Sequence, residues 1–209
     1  MKTRLISYIQ SIQDPALRQT CETILGYDKF FTCPASLGFH HAYEGGLLAH
    51  TVEACDTAKQ LAGYDENPER CFNRAVNFDI LIASALFHDL LKMDEYCFFW
   101  DWPANTVGQR LVRVPGTDES GLQKFWGHTD TRYLQNIGHI CGSAAQFQVT
   151  AVNHGVSRAT IDAVTHCILA HHGRKEWGSP VEPQTLEALI LSQADLLSAK
   201  FGATKDKQP

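Results

Sequence analysis

The chain has 209 residues, 44% of them hydrophobic, with a formal charge of −5 and a pI near 6.0. That length and apolar content support a sizeable packed core and exclude a disordered chain. The acidic balance argues against a broad phosphate-binding surface and therefore against long duplex nucleic acid as a partner, while leaving room for a local basic pocket.

Taken in chain order, the N-terminus "MKTRLISYIQSIQDPALRQT" interleaves charged and apolar residues, so it reads as neither a signal peptide nor a membrane span. Apolar residues recur at spacings of three and four through residues 3–12, 14–25, 44–62, 68–75, 78–92, 139–153, 157–171 and 183–201, which predicts an all-α helical bundle. No repeat or linker divides the chain, so residues 1–209 read as a single domain. The segment Cys97–Asn136 breaks the pattern with Pro103, Gly108, Pro115, Gly116 and Gly121, and predicts a long loop with a small hairpin in which "QRLVRV" is a short strand. Phe98, Phe99, Trp100, Trp102, Phe125 and Trp126 give this insert a large apolar area, suited to closing over a ligand, stacking on bases, or packing against a second subunit in a homo-oligomer. The seven cysteines, Cys21, Cys33, Cys55, Cys71, Cys97, Cys141 and Cys167, form no CxxC pair and are odd in number. Such usage fits reduced thiols in a cytoplasmic protein better than a zinc finger or a disulfide scaffold.

Polar residues recur on the predicted inner helix faces. His50 follows Leu47 by three at the edge of an apolar stripe. In "NFDILIASALFHDLLKMDEY" apolar residues nearly encircle the helix, so His88 and Asp89 cannot both reach water, and Lys92 shares their face. His171 and His172 follow Ile168 by three and four, with Gly173 suited to a helix C-cap; His166 sits off that face. Asp195 lies mid-helix among leucines, where a carboxylate must be protonated, paired or metal-bound. The competing structural accounts are a hydrogen-bonded core histidine at His50, an Asp89–Lys92 ion pair, and a histidine pair that simply interacts with helix-end carbonyls. Four helices that each aim imidazole or carboxylate inward have a simpler common partner in a metal ion, and this donor set suits Mn, Fe, Co, Zn or Ni.

The ordered set His50, His88-Asp89, Asp195 resembles the H…HD…D pattern of the HD superfamily of metal-dependent phosphohydrolases. The motifs "HHAYEGGLLAHT", "ALFHDLLK", "NIGHICG", "ILAHHG" and "WGSPVEPQTLEALILSQADLLSAK", from residue 40 to about residue 200, are similar to the HD domain of YhaM-type 3′→5′ exoribonucleases. The resemblance implies an HD-domain bundle in which His50, His88, Asp89 and Asp195 hold one ion and Asp89 bridges to a second held by His139, His171 and His172. It also implies that Lys92 contacts substrate phosphate and that His40 and His41 sit near the mouth of the site. The chain departs from the family in several places. Residues 1–39, helical in pattern, do not supply the family's N-terminal OB-fold; Ser192 stands where a histidine is usual; "HDLLK" replaces HDIGK; and the aromatic insert is longer.

The expected chemistry is hydrolysis of a phosphodiester or phosphomonoester in a nucleotide or short single-stranded oligonucleotide by a metal-activated water. Asp89 would orient the nucleophile, and Lys92 and Arg174 would neutralise the phosphate oxygens. Two other classes share the resemblance: a di-iron oxygenase, with which the histidine-rich second set is compatible, and a non-catalytic nucleotide-binding module, which the complete ligand set disfavours.

Overall fold

In the computed structural model, the described residues are 1–63, 75–106, 109–129 and 136–205. The helix expected over 68–75 lies, apart from its last position, outside them, as does Cys71. The helices are α1 (Lys2–Ser11), α2 (Pro15–Glu22), α3 (Asp28–Thr32), α4 (Gly46–Leu61), α5 (Phe78–Phe87), α6 (Lys92–Glu95), α7 (Gly138–Asn153), α8 (Arg158–Ala170) and α9 (Leu186–Lys205). None of them is long and apolar enough to cross a membrane.

Local chemistry sets several helix starts. The Asp14 side chain caps α2 by accepting from the amides of Ala16 and Leu17, with Pro15 in the first turn. Asn77 caps α5 through the Ile80 amide, and Ser157 caps α8 through that of Thr160. Asp79, in the first turn of α5, accepts from the amides of Gln13 and Asp14 and so ties the α1–α2 turn to the bundle. Helix α5 is buried from Leu81 to Phe87 and packs against α4, α8 and α9, while α9 lies along α4. The functional side chains enter the core from these central helices.

The structure differs from the sequence expectation at two places that matter for the site. The helix expected over 78–92 stops at Phe87, and residues 88–91 continue in tighter turns before α6, in which the Leu90 amide bonds the Phe87 carbonyl and the Lys92 amide bonds that of Asp89. The Leu91 amide is taken instead by the Ser143 hydroxyl of α7 at 3.0 Å. A long-range partner therefore reshapes the chain where no Gly or Pro marks a break. The insert contains the expected small hairpin, with "QRLVRV" running into one of its strands, and extends it by a further strand. It forms a three-stranded antiparallel sheet of β1 (Tyr96–Asp101), β2 (Val112–Thr117) and β3 (Gln123–His128), in the order β1-β3-β2. The fold is thus mostly helical with a small sheet. Phe98 pairs with Trp126 and Trp100 with Lys124; Trp126, Val112 and Tyr96 are buried, whereas Phe98 and Trp100 on edge strand β1 are exposed.

Candidate metal centre

Five helices and the turns at their ends bring seven sequence-predicted residues together. His50 projects from α4, His88 and Asp89 from the turn after α5, His139 from the start of α7, His171 and His172 from the turn after α8, and Asp195 from the middle of α9. Their ligand atoms form two groups that share one carboxylate: His50, His88, Asp89 and Asp195, and Asp89, His139, His171 and His172, each with its ligand atoms within 4.8 Å of one another. His50 Nε2 lies 3.0 Å from Asp195 Oδ1 and 3.3 Å from Asp89 Oδ2. On the other side, His139 Nε2 and His171 Nε2 lie 3.3 and 3.5 Å from Asp89 Oδ1.

The partner of the outer nitrogen of each ring decides which nitrogen faces inward as a ligand. His88 Nδ1 faces the Ala85 carbonyl at 2.8 Å, His171 Nδ1 the Ile168 carbonyl at 2.7 Å, and His172 Nδ1 the Trp177 carbonyl at 2.8 Å. A carbonyl only accepts, so each Nδ1 carries a proton, and Nε2 is the nitrogen left to act as a ligand on the inward side. His139 Nδ1 is fixed in the same way by Glu95 Oε1 at 2.9 Å. At His50 the partner is the Ser198 hydroxyl, 3.0 Å from Nδ1, which in turn donates to Glu53 Oε2 at 3.3 Å.

Lone pairs of imidazoles therefore converge on the oxygens of a carboxylate, with no proton between them. Asp89 Oδ1, His139 Nε2 and His171 Nε2 are buried without a hydrogen bond, an arrangement that costs several kcal/mol unless a cation intervenes (roughly 1–3 for each group). Lys92, itself buried, places its ammonium 2.6 Å from Asp89 Oδ2 and offsets part of that charge. Mixed N/O donors, each ring oriented by a second hydrogen bond, fit a divalent transition metal.

Electrostatics follow the same geometry. Burial opposes ionisation of Asp89, but Lys92 and the surrounding histidines hold its carboxyl well below the usual range. Asp195 behaves likewise, with His50 as the main counterweight to burial. Burial pushes His171 down to about 4 and His40 down to about 3. At His50 burial is outweighed by Asp195 and Asp89, so its affinity for a proton is raised. That proton would sit where a cation fits.

The remaining sequence-predicted residues occupy different surroundings. The His40 ring centroid is 4.7 Å from that of His50, and His40, His41 and His50 form a third, overlapping group. His41 is buried with φ +48° and contacts Glu53 Oε2 at 3.0 Å through Nε2. Arg174 is exposed and stacks over Trp177, 5.0 Å from its ring centroid. His166 accepts from the Gln184 amide at 3.0 Å, in keeping with its place off the inner face. Glu53, Ser198 and Glu95 were not singled out from the sequence, although each lies three residues after a site residue on one helix face: His50, Asp195 and Lys92.

Comparison with known proteins finds relatives by sequence. The chain is 30% identical over 203 residues to the 3′-5′ exoribonuclease YhaM of Geobacillus sp. (strain WCH70), a match covering 96% of this chain and 52% of that protein. Over this span the chain is YhaM-like. Proteins of the same name from Listeria monocytogenes serotype 4b (strain CLIP80459) and Bacillus pumilus (strain SAFR-032) are 29% and 27% identical, again over 96% of the chain and 54% of their own length. The chain thus spans about half the length of the curated relatives it matches. No family model and no solved structure matches it.

Proposed function

We propose that this YhaM-like chain is a metal-dependent phosphohydrolase that cleaves a phosphodiester or phosphomonoester bond in a nucleotide or short oligonucleotide. The observation that carries the reading is the buried Asp89 carboxylate facing inward Nε2 atoms from both sides, with Oδ1 not hydrogen-bonded and Oδ2 met by the Lys92 ammonium. The similarity to proteins named exoribonucleases supports the hydrolytic class. In this reading residues 1–209 are one HD domain, and its free cysteines suit the cytoplasm.

The roles follow from position. His50, His88, Asp89 and Asp195 hold one ion; Asp89, His139, His171 and His172 hold a second, both from the set Fe, Mn, Co, Zn or Ni. Bound ions of this kind acidify water and neutralise phosphate charge. Asp89 fixes the spacing between the two ligand groups and orients the attacking water. Lys92, held at the carboxylate by the 2.6 Å ion pair, presents the remaining positive charge of its ammonium to a phosphate oxygen. His40 and His41 line the approach next to His50, and Arg174, in the turn after the His171-His172 pair, supplies a further cation to the substrate.

Elemental analysis of anaerobically purified protein, combined with a screen of bis-p-nitrophenyl phosphate, mononucleotides and short single-stranded RNA, tests the reading. Turnover that disappears with the metal and in Asp89→Ala supports it, whereas turnover retained in Asp89→Ala contradicts it. The three imidazoles of the second group also suit a di-iron oxygenase, and oxygen consumption without phosphate release would favour that chemistry instead.

A further inference from the structure

We propose that the exposed aromatic rim of the small sheet, together with Phe39, is a stacking platform for a single-stranded nucleic acid whose end reaches the metal centre; the proposal rests on the phosphohydrolase reading and names its substrate class.

Strand β1 sends Tyr96, Phe98 and Trp100 to one face. Tyr96 is buried, and so is Trp126, the cross-strand partner of Phe98, yet Phe98 and Trp100 are 54% and 49% exposed. The apolar face therefore begins in the core and runs out onto the surface at the edge of the sheet. Phe39 is 67% exposed on a separate segment. Large rings held in water on a strand edge call for a partner.

Cations accompany these rings. The Lys124 ammonium lies 4.5 Å from the ring centroid of Phe98 and belongs to the residue paired with Trp100. The Arg110 guanidinium lies 5.3 Å from the ring centroid of Phe39. Rings that stack on bases, interleaved with cations that meet phosphates, are what an unpaired strand requires; a duplex hides its base faces.

The platform is continuous with the candidate centre. Lys124 also contacts Glu44 at 3.9 Å, the Arg110 side chain runs beside Gly38, and Phe39 directly precedes His40, whose ring meets that of His50. Segment 38–44 thus carries the sheet's aromatic edge on one side and the site histidines on the other. Size favours a strand over a second copy of the chain. Three half-exposed rings offer about 300 Å², enough for two or three stacked bases but well below the ~800 Å² per partner of a stable dimer.

The test is the length dependence of binding. Metal-loaded chain is titrated into fluorescein-labelled phosphorothioate oligouridylates of one, three and six nucleotides, and anisotropy gives the affinities. Wild type is expected to bind the six-mer at least tenfold more tightly than the mononucleotide. Phe98→Ala/Trp100→Ala is expected to lose most of that gain, and Phe39→Ala, on a different element, part of it. A wild type without length dependence, or a double variant that keeps it, overturns the proposal. A dimer on size-exclusion chromatography that the double variant dissociates while length dependence persists assigns the rings to a second copy and also overturns it. Wild-type hydrolysis of bis-p-nitrophenyl phosphate reports separately on the catalytic reading. If that hydrolysis is absent but length-dependent binding remains, the phosphohydrolase reading fails and the platform stands.

Discussion

Asp89 Oδ1 and His139 Nε2 lie 3.3 Å apart, both buried, with no hydrogen bond between them. The reason lies at the far side of the ring, where Glu95 holds Nδ1. An imidazole whose proton is committed outward turns an acceptor toward another acceptor, and only a cation reconciles the two. The same logic repeats at His88 and His171, whose backbone carbonyl partners fix their tautomers.

The two ligand groups should be separable. Asp195→Ala is expected to keep the ion of the His139 group and lose the other, and His139→Ala the reverse. Glu95→Gln removes the carboxylate behind His139 and should weaken that ion's affinity about 10- to 100-fold. Metal counts by native mass spectrometry and chelator competition read both effects. Loss of both ions in Asp195→Ala would mean that the groups do not bind independently.

Ser198 stands behind His50 and passes its own proton toward Glu53. Ser198→Ala should lower affinity for the ion at His50 about 10- to 100-fold, and Ser198→Thr should restore most of it. An affinity unchanged by the alanine variant would show that the hydroxyl does not set the ring.

The pH dependence of the metal-free fold has a definite sign. His171 at about 4 and His40 at about 3 take up protons more readily unfolded than folded, because burial disfavours their charged forms. An unfolded histidine titrates at about 6.5, so their contribution is present above that pH and is lost as pH falls toward about 4 for His171 and about 3 for His40. His50 runs the other way. Its raised proton affinity stabilises the fold below about 6.5 and is lost as pH rises through its folded pKa. Chelated protein should therefore melt highest near about pH 6.5. Loaded protein should lack the alkaline decline, since the ion replaces the His50 proton. Melting curves across this range check both limbs, and His171→Gln should flatten the acid one.

Gly46 starts α4 directly beside the histidine pair. A Cβ there would come within 2.0 Å of the His41 carbonyl oxygen, a backbone atom that cannot move freely because it accepts from the Ala35 amide. Gly46→Ala should destabilise the fold by about 1–3 kcal/mol in urea unfolding. An unchanged midpoint would mean that segment 35–46 adjusts without strain.

Much of the site was legible because burial is costly for charge. Asp195 among leucines and His88-Asp89 on a nearly all-apolar helix demanded a partner, and the structure brings them together with His50. The His171-His172 pair was also readable as a simple helix-end interaction, and His171 does address the Ile168 carbonyl. Its burial and its approach to Asp89 are tertiary facts. Less legible were features that depend on distant partners. The break after Phe87 follows Ser143 taking the Leu91 amide, and β1 exists because β3 pairs with it from more than twenty residues away. The supporting groups Glu53, Ser198 and Glu95 carried a helical spacing signal, but their roles depend on which ring each one meets.

Metal stoichiometry in wild type and Asp89→Ala, measured by native mass spectrometry after loading with Mn or Fe under anaerobic conditions, bears most directly on the shared-carboxylate centre. The account predicts two ions per chain in wild type and none held tightly in the variant, with circular dichroism showing that the variant remains folded. Two ions retained by a folded Asp89→Ala chain, or no ion bound by wild type, would contradict it.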